Sequence, residues 1–289
     1  MLTLALVSGI GLGSMYGLLA LGFYMTYAVS GTVNFAQGTS MMLGAVLAFA
    51  FQVRLGWPAW IAAVAALAVC ALWGIVIEIL TVRPFVRAGS NAWLMSTVAA
   101  GIVLENVILF TFGKEPRSLP PMFDGEPLVI GEIAVSPLLA ALPLVGLGVA
   151  AALHLFTRRT RTGKALVAIV QNPAAASLMG IDVATAVMLC YAASTVFAGI
   201  AGILIAPLYL VAADMGTLFG IKAFAVAILG GIASARGVVI AGFLYGITEA
   251  LITARLGSGY TNILTFSLVI AALALRPHGL FGTTAVKKV

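Results

Sequence analysis

Charged residues are scarce in this sequence. Only 8% of the residues are charged and 62% are hydrophobic, whereas soluble domains are ~25% charged and ~45–50% apolar. No polar segment is long enough to form a soluble core beside the apolar runs. The composition therefore excludes an ordinary soluble protein and predicts one integral membrane domain covering residues 1–289, in contact with lipid.

Catalytic and metal-binding patterns are also missing. The sequence has no HExxH, no P-loop and no GxSxG with triad partners, so hydrolysis of ATP, peptide or lipid is not predicted. Cys70 and Cys190 lie in apolar runs without the spacing of a metal site. We predict no enzyme activity, no metal and no other cofactor. The net charge of +6 comes from short loops between apolar runs, so nucleic-acid binding is not expected either.

What the sequence does contain is a series of long apolar runs. No Lys or Arg precedes Arg54, so the first run lacks the basic region of a cleavable signal peptide and is expected to be retained. Two of the later runs, 223–232 and 238–252, are too short to cross a bilayer comfortably, which indicates broken or re-entrant helices. We predict an all-α bundle with eight or nine membrane segments, in the runs 2–29, 39–53, 59–82, 92–112, 137–156, 183–205, 223–232, 238–252 and 260–275.

Basic residues give the orientation. They cluster in the loops 83–91, 158–182 and 276–289, which the positive-inside rule places in the cytoplasm. Alternation of sides then places the loop 113–136 outside, where LVIGEIAV predicts a small hairpin that turns at Gly131. Arg54 and Arg255 face outward in this arrangement, against the rule.

A polar interruption, SGTVNFAQG, divides the first two apolar runs. Asn34, Phe35 and Gln37 could line a substrate path, because polar backbone at membrane depth is tolerated when it faces protein or a water-filled cavity. The alternative is a cytoplasmic turn between two ordinary spans, in which Asn34 only caps the next helix. The sequence leaves both interpretations open.

Three carboxylates lie inside apolar runs, and intramembrane carboxylates are candidates for function. Glu78 is close to Arg83 and could form an ion pair or lie at the interface. Glu105 and Glu249 lie deeper, where they could either line a transport path or bond neighbouring helices together. All three remain candidates with these alternatives.

The loop 159–183 is too polar for a bilayer and is predicted to fold as two short helices. In the first, Leu166 and Ile169 share an apolar face that needs a partner. In the second, Asn172 is the predicted N-cap, Pro173 the first helical residue and Gly180 the C-terminal cap. Asp182 is positioned to cap the following membrane helix.

Four segments, in the same order, resemble the membrane permeases of branched-chain amino-acid ABC importers. They are GLGSMYGLLALGFYMTYAVSGTVNFAQG, GKALVAIVQNPAAASLMGIDV, KAFAVAILGGIASARGVVIAG and RPHGLFG, which together span nearly the whole chain. The chain looks most like the shorter, H-type permease of that heterodimeric system. Gln37 stands where the family motif more usually has His.

The resemblance implies a type II importer fold in a bacterial inner membrane. It also implies four partners: a second permease of M type, two cytoplasmic ATP-binding subunits and a periplasmic substrate-binding protein. In this family the loop 158–182 would dock on the ATPases, through a surface that includes Gly163, Lys164, Leu166, Ile169, Asn172, Pro173, Gly180 and Asp182.

Three functions are therefore open. The chain could be an ABC permease subunit, a secondary transporter with Glu105 and Glu249 as ion or proton sites, or a membrane scaffold without transport. The structured loop favours the first over the second. The interrupted helices favour both over the third.

Overall fold

A computed structural model describes residues 2–122, 125–130 and 133–282, and within them the chain is helical apart from one small hairpin. Two π-helical stretches extend α-helices: Ala50–Arg54 continues α2, and Glu78–Val82 joins α3 to α4. The helices are α1 Leu2–Ser30, α2 Gln37–Phe49, α3 Ala59–Ile77, α4 Arg83–Arg87, α5 Trp93–Phe112, α6 Pro137–Arg159, α7 Arg161–Gln171, α8 Pro173–Leu178, α9 Val183–Ile205, α10 Met215–Gly230, α11 Ala235–Leu256 and α12 Ser258–Leu275.

Seven of the helical segments are long and apolar enough to cross a membrane, and α10 is a shorter apolar helix. The predicted polytopic, all-α bundle is confirmed. The two runs that looked too short are corrected: α11 is 22 residues long because Arg236 and Arg255 lie within its ends, and α10 begins at Met215, eight residues before the predicted run. The glycines and Lys222 before residue 223 concealed that start.

Helix α1 lies at the centre of the bundle, where small residues let it pack closely on α11. A Cβ atom added to Gly13 would lie 2.7 Å from the carbonyl oxygen of Gly242. Gly17 and Gly246 lie along the same seam. Close backbone approach replaces the hydrophobic driving force that lipid does not supply.

The two ends of the bundle differ in charge. His154 near the end of α6 and Arg236 near the start of α11 line one pocket, so these two termini share an end of the bundle. The connection between α4 and α5 and the segment from α7 to Asp182 lie at the same end, because Arg83 and Asp182 interact electrostatically. We call this the basic end.

The opposite end holds the start of α1 and the connection after α5. Gly9 packs against Ala250 near the end of α11, and Arg117 forms an isolated antiparallel bridge with Val211. The hairpin pairs β1 Leu128–Ile130 with β2 Ile133–Val135, with Leu128 opposite Val135. Its predicted turn at Gly131 lies outside the described residues, as does the tail 283–289.

Candidate functional site: a cavity between two helix starts

The interruption after α1 is a tight, buried turn. Gly31 has a φ of +68°, which glycine adopts without strain, and it lets the chain leave α1 after Ser30. The side-chain oxygen of Asn34 accepts a 3.0 Å hydrogen bond from the Ala36 N–H group, as in an Asx turn. Asn34 is fully buried, and its Nδ2 has no hydrogen-bond partner in the described part of the chain.

Gln37, the first residue of α2, bonds to α9 at both ends of its amide. Its Nε2 donates to the Ser194 carbonyl at 2.9 Å, and its Oε1 accepts from the Ser194 hydroxyl at 2.9 Å. Because both amide groups are used, Gln37 joins two helices, and it is not among the residues that line the cavity described next.

A cavity of about 250 Å³ lies where α2 and α10 begin, with α5 as its third wall. It brings together two of the predicted path residues, Phe35 and Glu105, whereas Asn34, Gln37 and Glu249 do not line it. One Glu105 carboxylate oxygen accepts a 3.0 Å hydrogen bond from the Thr217 hydroxyl. The lining residues are Phe23, Phe35, Gly38, Thr39, Val98, Gly101, Ile102, Glu105, Gly216, Thr217, Gly220, Ile221 and Phe224.

Two helix N-termini meet at this cavity. The backbone N–H groups of Gly38, Thr39 and Gly216 lie in the first turns of α2 and α10 and have no hydrogen-bond partner among the described residues. Such groups carry partial positive charge and favour an anionic ligand. The cavity therefore places one carboxylate, Glu105, beside two electropositive helix starts.

The remaining walls are mostly aromatic and aliphatic. Phe35 and Phe224 contact each other with ring centroids 5.1 Å apart. Phe23 packs edge-on against Phe224 at 5.5 Å. These rings give the cavity an apolar side that suits a hydrocarbon side chain.

Glu249 lies elsewhere, in a buried ion pair. One of its oxygens is 2.5 Å from the Lys222 ammonium group. This ion pair joins α11 to the face of α10 that is turned away from the cavity. Lys222 was not among the residues predicted from the sequence, although a lysine inside an apolar run is as strong a signal as a carboxylate.

Glu78 forms an ion pair with Arg83, which was one of the two positions predicted for it. Its two oxygens accept hydrogen bonds from Arg83 at 2.9 and 2.6 Å. Within the described ranges, no group of three His, Cys, Asp or Glu side chains is placed to hold a metal ion.

The apolar face of α7 is partly covered within the chain. Ile169 is fully buried and Leu166 is 8% exposed. Leu166 packs with Met25 of α1 and Cys190 of α9. The Leu166 and Ile169 side chains are therefore covered within this chain, whereas Val170 of the same helix is 46% exposed. Docking of a partner on α7 stays a prediction, because an apolar face indicates burial but does not identify the partner.

The outward surface of this segment is also apolar at α8. Leu178 is 89% exposed and Met179 is 83% exposed, at the basic end of the bundle. Other predicted docking residues are also exposed: Lys164, Asn172, Pro173, Gly180 and Asp182, whereas Gly163 is buried. Leu178 and Met179 were not predicted from the sequence, because a six-residue helix is too short to reveal an apolar stripe.

The predicted caps of the segment are present. The Asn172 side chain accepts from the Ala175 N–H group at 3.0 Å, and Gly180 has a φ of +81°. Asp182 caps α9 by accepting from the Ala184 and Thr185 N–H groups. A hydrogen bond from the Thr185 hydroxyl lowers the pKa of Asp182 below its usual value, so this cap stays ionised at neutral pH.

Comparison with known proteins agrees with this architecture. Residues 5–273 match the family described as the permease component of the branched-chain amino acid transport system. The chain is 32% identical over 296 residues to the high-affinity branched-chain amino acid transport system permease protein LivH of Escherichia coli K12, covering 98% of this chain and 96% of that protein. It is 31% identical to the corresponding permease protein BraD of Pseudomonas aeruginosa, covering 98% and 97%.

A solved structure shares the fold. A chain of PsaBC from Streptococcus pneumoniae, in complex with Fab, matches with a TM-score of 0.52 and 14% identity over 96% of this chain and 92% of that chain. The resemblance identified from the sequence motifs is confirmed. This multi-pass membrane protein belongs to the family of branched-chain amino acid transport permeases.

Proposed function

We propose that this chain is the H-type permease subunit of an ABC importer in a bacterial inner membrane. It forms the path for branched-chain or related amino acids, which a periplasmic binding protein delivers. The observation that carries the proposal is a cavity lined both by Glu105 and by Gly38, Thr39 and Gly216, whose N–H groups have no hydrogen-bond partner in the described part of the chain.

The cavity matches the charges of a zwitterionic amino acid. Glu105 accepts hydrogen bonds from the ammonium group, and the N–H groups of Gly38, Thr39 and Gly216 donate hydrogen bonds to the carboxylate. Phe35 then contacts the hydrocarbon side chain. Each charged group of the substrate then has a partner in the cavity, which offsets the free-energy cost of removing it from water.

A second, M-type permease completes the cavity. The cavity opens on the surface of this chain, where the lining residues Ile102 and Ile221 are 56% and 53% exposed. Asn106, on the same helix as Glu105, is also exposed. Polar side chains at membrane depth face protein or water rather than lipid, so a protein partner on this side of α5 accounts for Asn106.

Two ATP-binding subunits dock at the basic end, which faces the cytoplasm under the positive-inside rule. The exposed pair Leu178 and Met179 supplies the apolar contact. An apolar pair on a short, well-capped helix is suited to a protein pocket. ATP hydrolysis belongs to those partners, and this chain supplies the docking surface and the path.

Uptake of radiolabelled leucine, isoleucine and valine into proteoliposomes tests the proposal. The vesicles contain this chain with its cognate second permease, ATPases and binding protein. We expect uptake that needs ATP and the binding protein and that persists when a protonophore removes the proton gradient. Uptake by this chain alone, driven by a proton or sodium gradient, would instead identify a secondary transporter. No uptake of any amino acid under either condition would leave the scaffold function.

A further inference from the structure

Helix α9 connects the docking segment to the substrate cavity. It begins at Val183, directly after the Asp182 cap. Two of its residues, Tyr191 and Ser194, are three positions apart and therefore lie on the same face. Tyr191 bonds to Thr32 in the turn between α1 and α2, and Ser194 bonds to Gln37, the first residue of α2. The next two residues of α2, Gly38 and Thr39, line the cavity.

These contacts form two hydrogen-bonded groups between α9 and the chain after α1, one at Thr32 and one at Gln37. The Tyr191 hydroxyl is 2.7 Å from the Thr32 hydroxyl, which is 2.5 Å from that of Ser30. Ser194 and Gln37 exchange two further hydrogen bonds, each of 2.9 Å. Tyr191, Ser194 and Gln37 are fully buried. Breaking such bonds without water to replace them is costly, so the turn follows α9 when α9 moves.

Helix α1 limits the position of the Gln37 amide from the other side. A Cβ atom added to Gly22 would collide with the Gln37 side-chain nitrogen and lie 2.9 Å from the Ser194 hydroxyl oxygen. Gly17, one and a half turns earlier on α1, has ordinary space, since its added Cβ would be 3.5 Å from the nearest atom. The Gln37–Ser194 contact therefore leaves no room for a side chain at residue 22.

We propose that Tyr191 and Ser194 are positioning residues that transmit movement of the docking segment to the first turn of α2. The set Tyr191, Thr32, Ser194 and Gln37 holds the N–H groups of Gly38 and Thr39 in place at the cavity and shifts them when the ATPases displace α8 and α9. This inference rests on the proposed function, because it assigns a role to the same cavity and the same docking segment. In it Gln37 acts through Ser194 rather than by touching the substrate.

Ser194→Ala and Gly22→Ala test the proposal in the complete four-component transporter. Ser194→Ala removes the hydroxyl that bonds to Gln37. Gly22→Ala displaces the Gln37 amide without changing either partner. The matched controls are Thr195→Val, which removes the neighbouring hydroxyl that bonds α3 at the Cys70 carbonyl, and Gly17→Ala. The measurements are co-purification with the ATPases, ATP hydrolysis and leucine uptake in the same vesicles.

We expect both test variants to assemble and hydrolyse ATP, while the uptake per ATP hydrolysed falls by roughly tenfold, the factor that corresponds to one or two buried hydrogen bonds. Both control variants should show the same uptake per ATP hydrolysed as the unchanged protein. Test variants that keep that ratio, that lower it no more than the controls do, or that fail to assemble would overturn the proposal. Failure of the proposed function itself is distinct, because the unchanged transporter would then show no ATP-dependent uptake.

Discussion

Replacing Glu105 by Gln should lower leucine uptake by the assembled transporter by roughly 10- to 100-fold, because a hydrogen bond to a charged group contributes ~1.5–3 kcal/mol. Glutamine has the same shape, so it keeps the cavity but removes the negative charge that the substrate ammonium meets. The surrounding walls are apolar, so little else compensates that charge. The measurement is initial uptake at leucine concentrations well below saturation.

The control for this variant is Glu115→Gln, which removes the same charge from an exposed residue at the opposite end of α5 from the basic end. It should leave uptake unchanged. Thr217→Val should have a smaller effect of about fivefold, since it removes only the neutral hydroxyl that orients Glu105. Normal uptake by Glu105→Gln would show that the substrate ammonium binds elsewhere.

Replacing Leu178 and Met179 together by Asp should abolish co-purification of the permease with its ATPases. Both side chains are more than four-fifths exposed in this chain, so the change leaves the fold intact. Placing two carboxylates in an apolar interface without partners costs several kcal/mol, which exceeds what a small docking surface supplies. The measurement is pull-down of the ATPases by the detergent-solubilised permease, at equal permease yield.

Two further variants separate docking from folding. Thr162→Asp with Gln171→Asp adds the same charge to exposed positions of α7 and should still bind the ATPases. Leu166→Asp with Ile169→Asp should instead lower the yield of folded permease, because it buries charge between α7 and the bundle. Normal ATPase binding by the Leu178/Met179 variant would place the docking surface elsewhere.

Local features of this chain were predictable from the sequence, because neighbouring residues determine them. The caps at Asn172, Gly180 and Asp182 depend on backbone groups two or three residues away, and all three are present. The long apolar runs likewise predicted the membrane helices, since the bilayer imposes a minimum length on each. The lengths of α10 and α11 were underestimated, because a glycine-rich stretch with Lys222 precedes one run and arginines lie near the ends of the other.

Features that depend on distant residues were not predictable from pattern alone. Gln37 was one candidate for the substrate path, and nothing in the pattern indicated that its amide bonds to Ser194, 157 residues later in the chain. Leu166 of α7 was predicted to contact an external partner, and in the structure its side chain packs against α1 and α9. In both cases the sequence indicates that a group must be satisfied, and only the packing of the helices shows which partner satisfies it.

Blocking the cavity chemically tests the central claim most directly. Thr217→Cys places a thiol at the cavity wall beside Glu105, while Thr111→Cys places one on the exposed face of α5, outside the cavity. Both native cysteines are buried and should not react. In the complete transporter, a small methanethiosulfonate reagent should stop uptake by the Thr217→Cys variant and leave the Thr111→Cys variant active. Saturating leucine during cycling with ATP should slow the modification of the thiol at residue 217. Full uptake after complete modification of that thiol would contradict the assignment of this cavity as the substrate path.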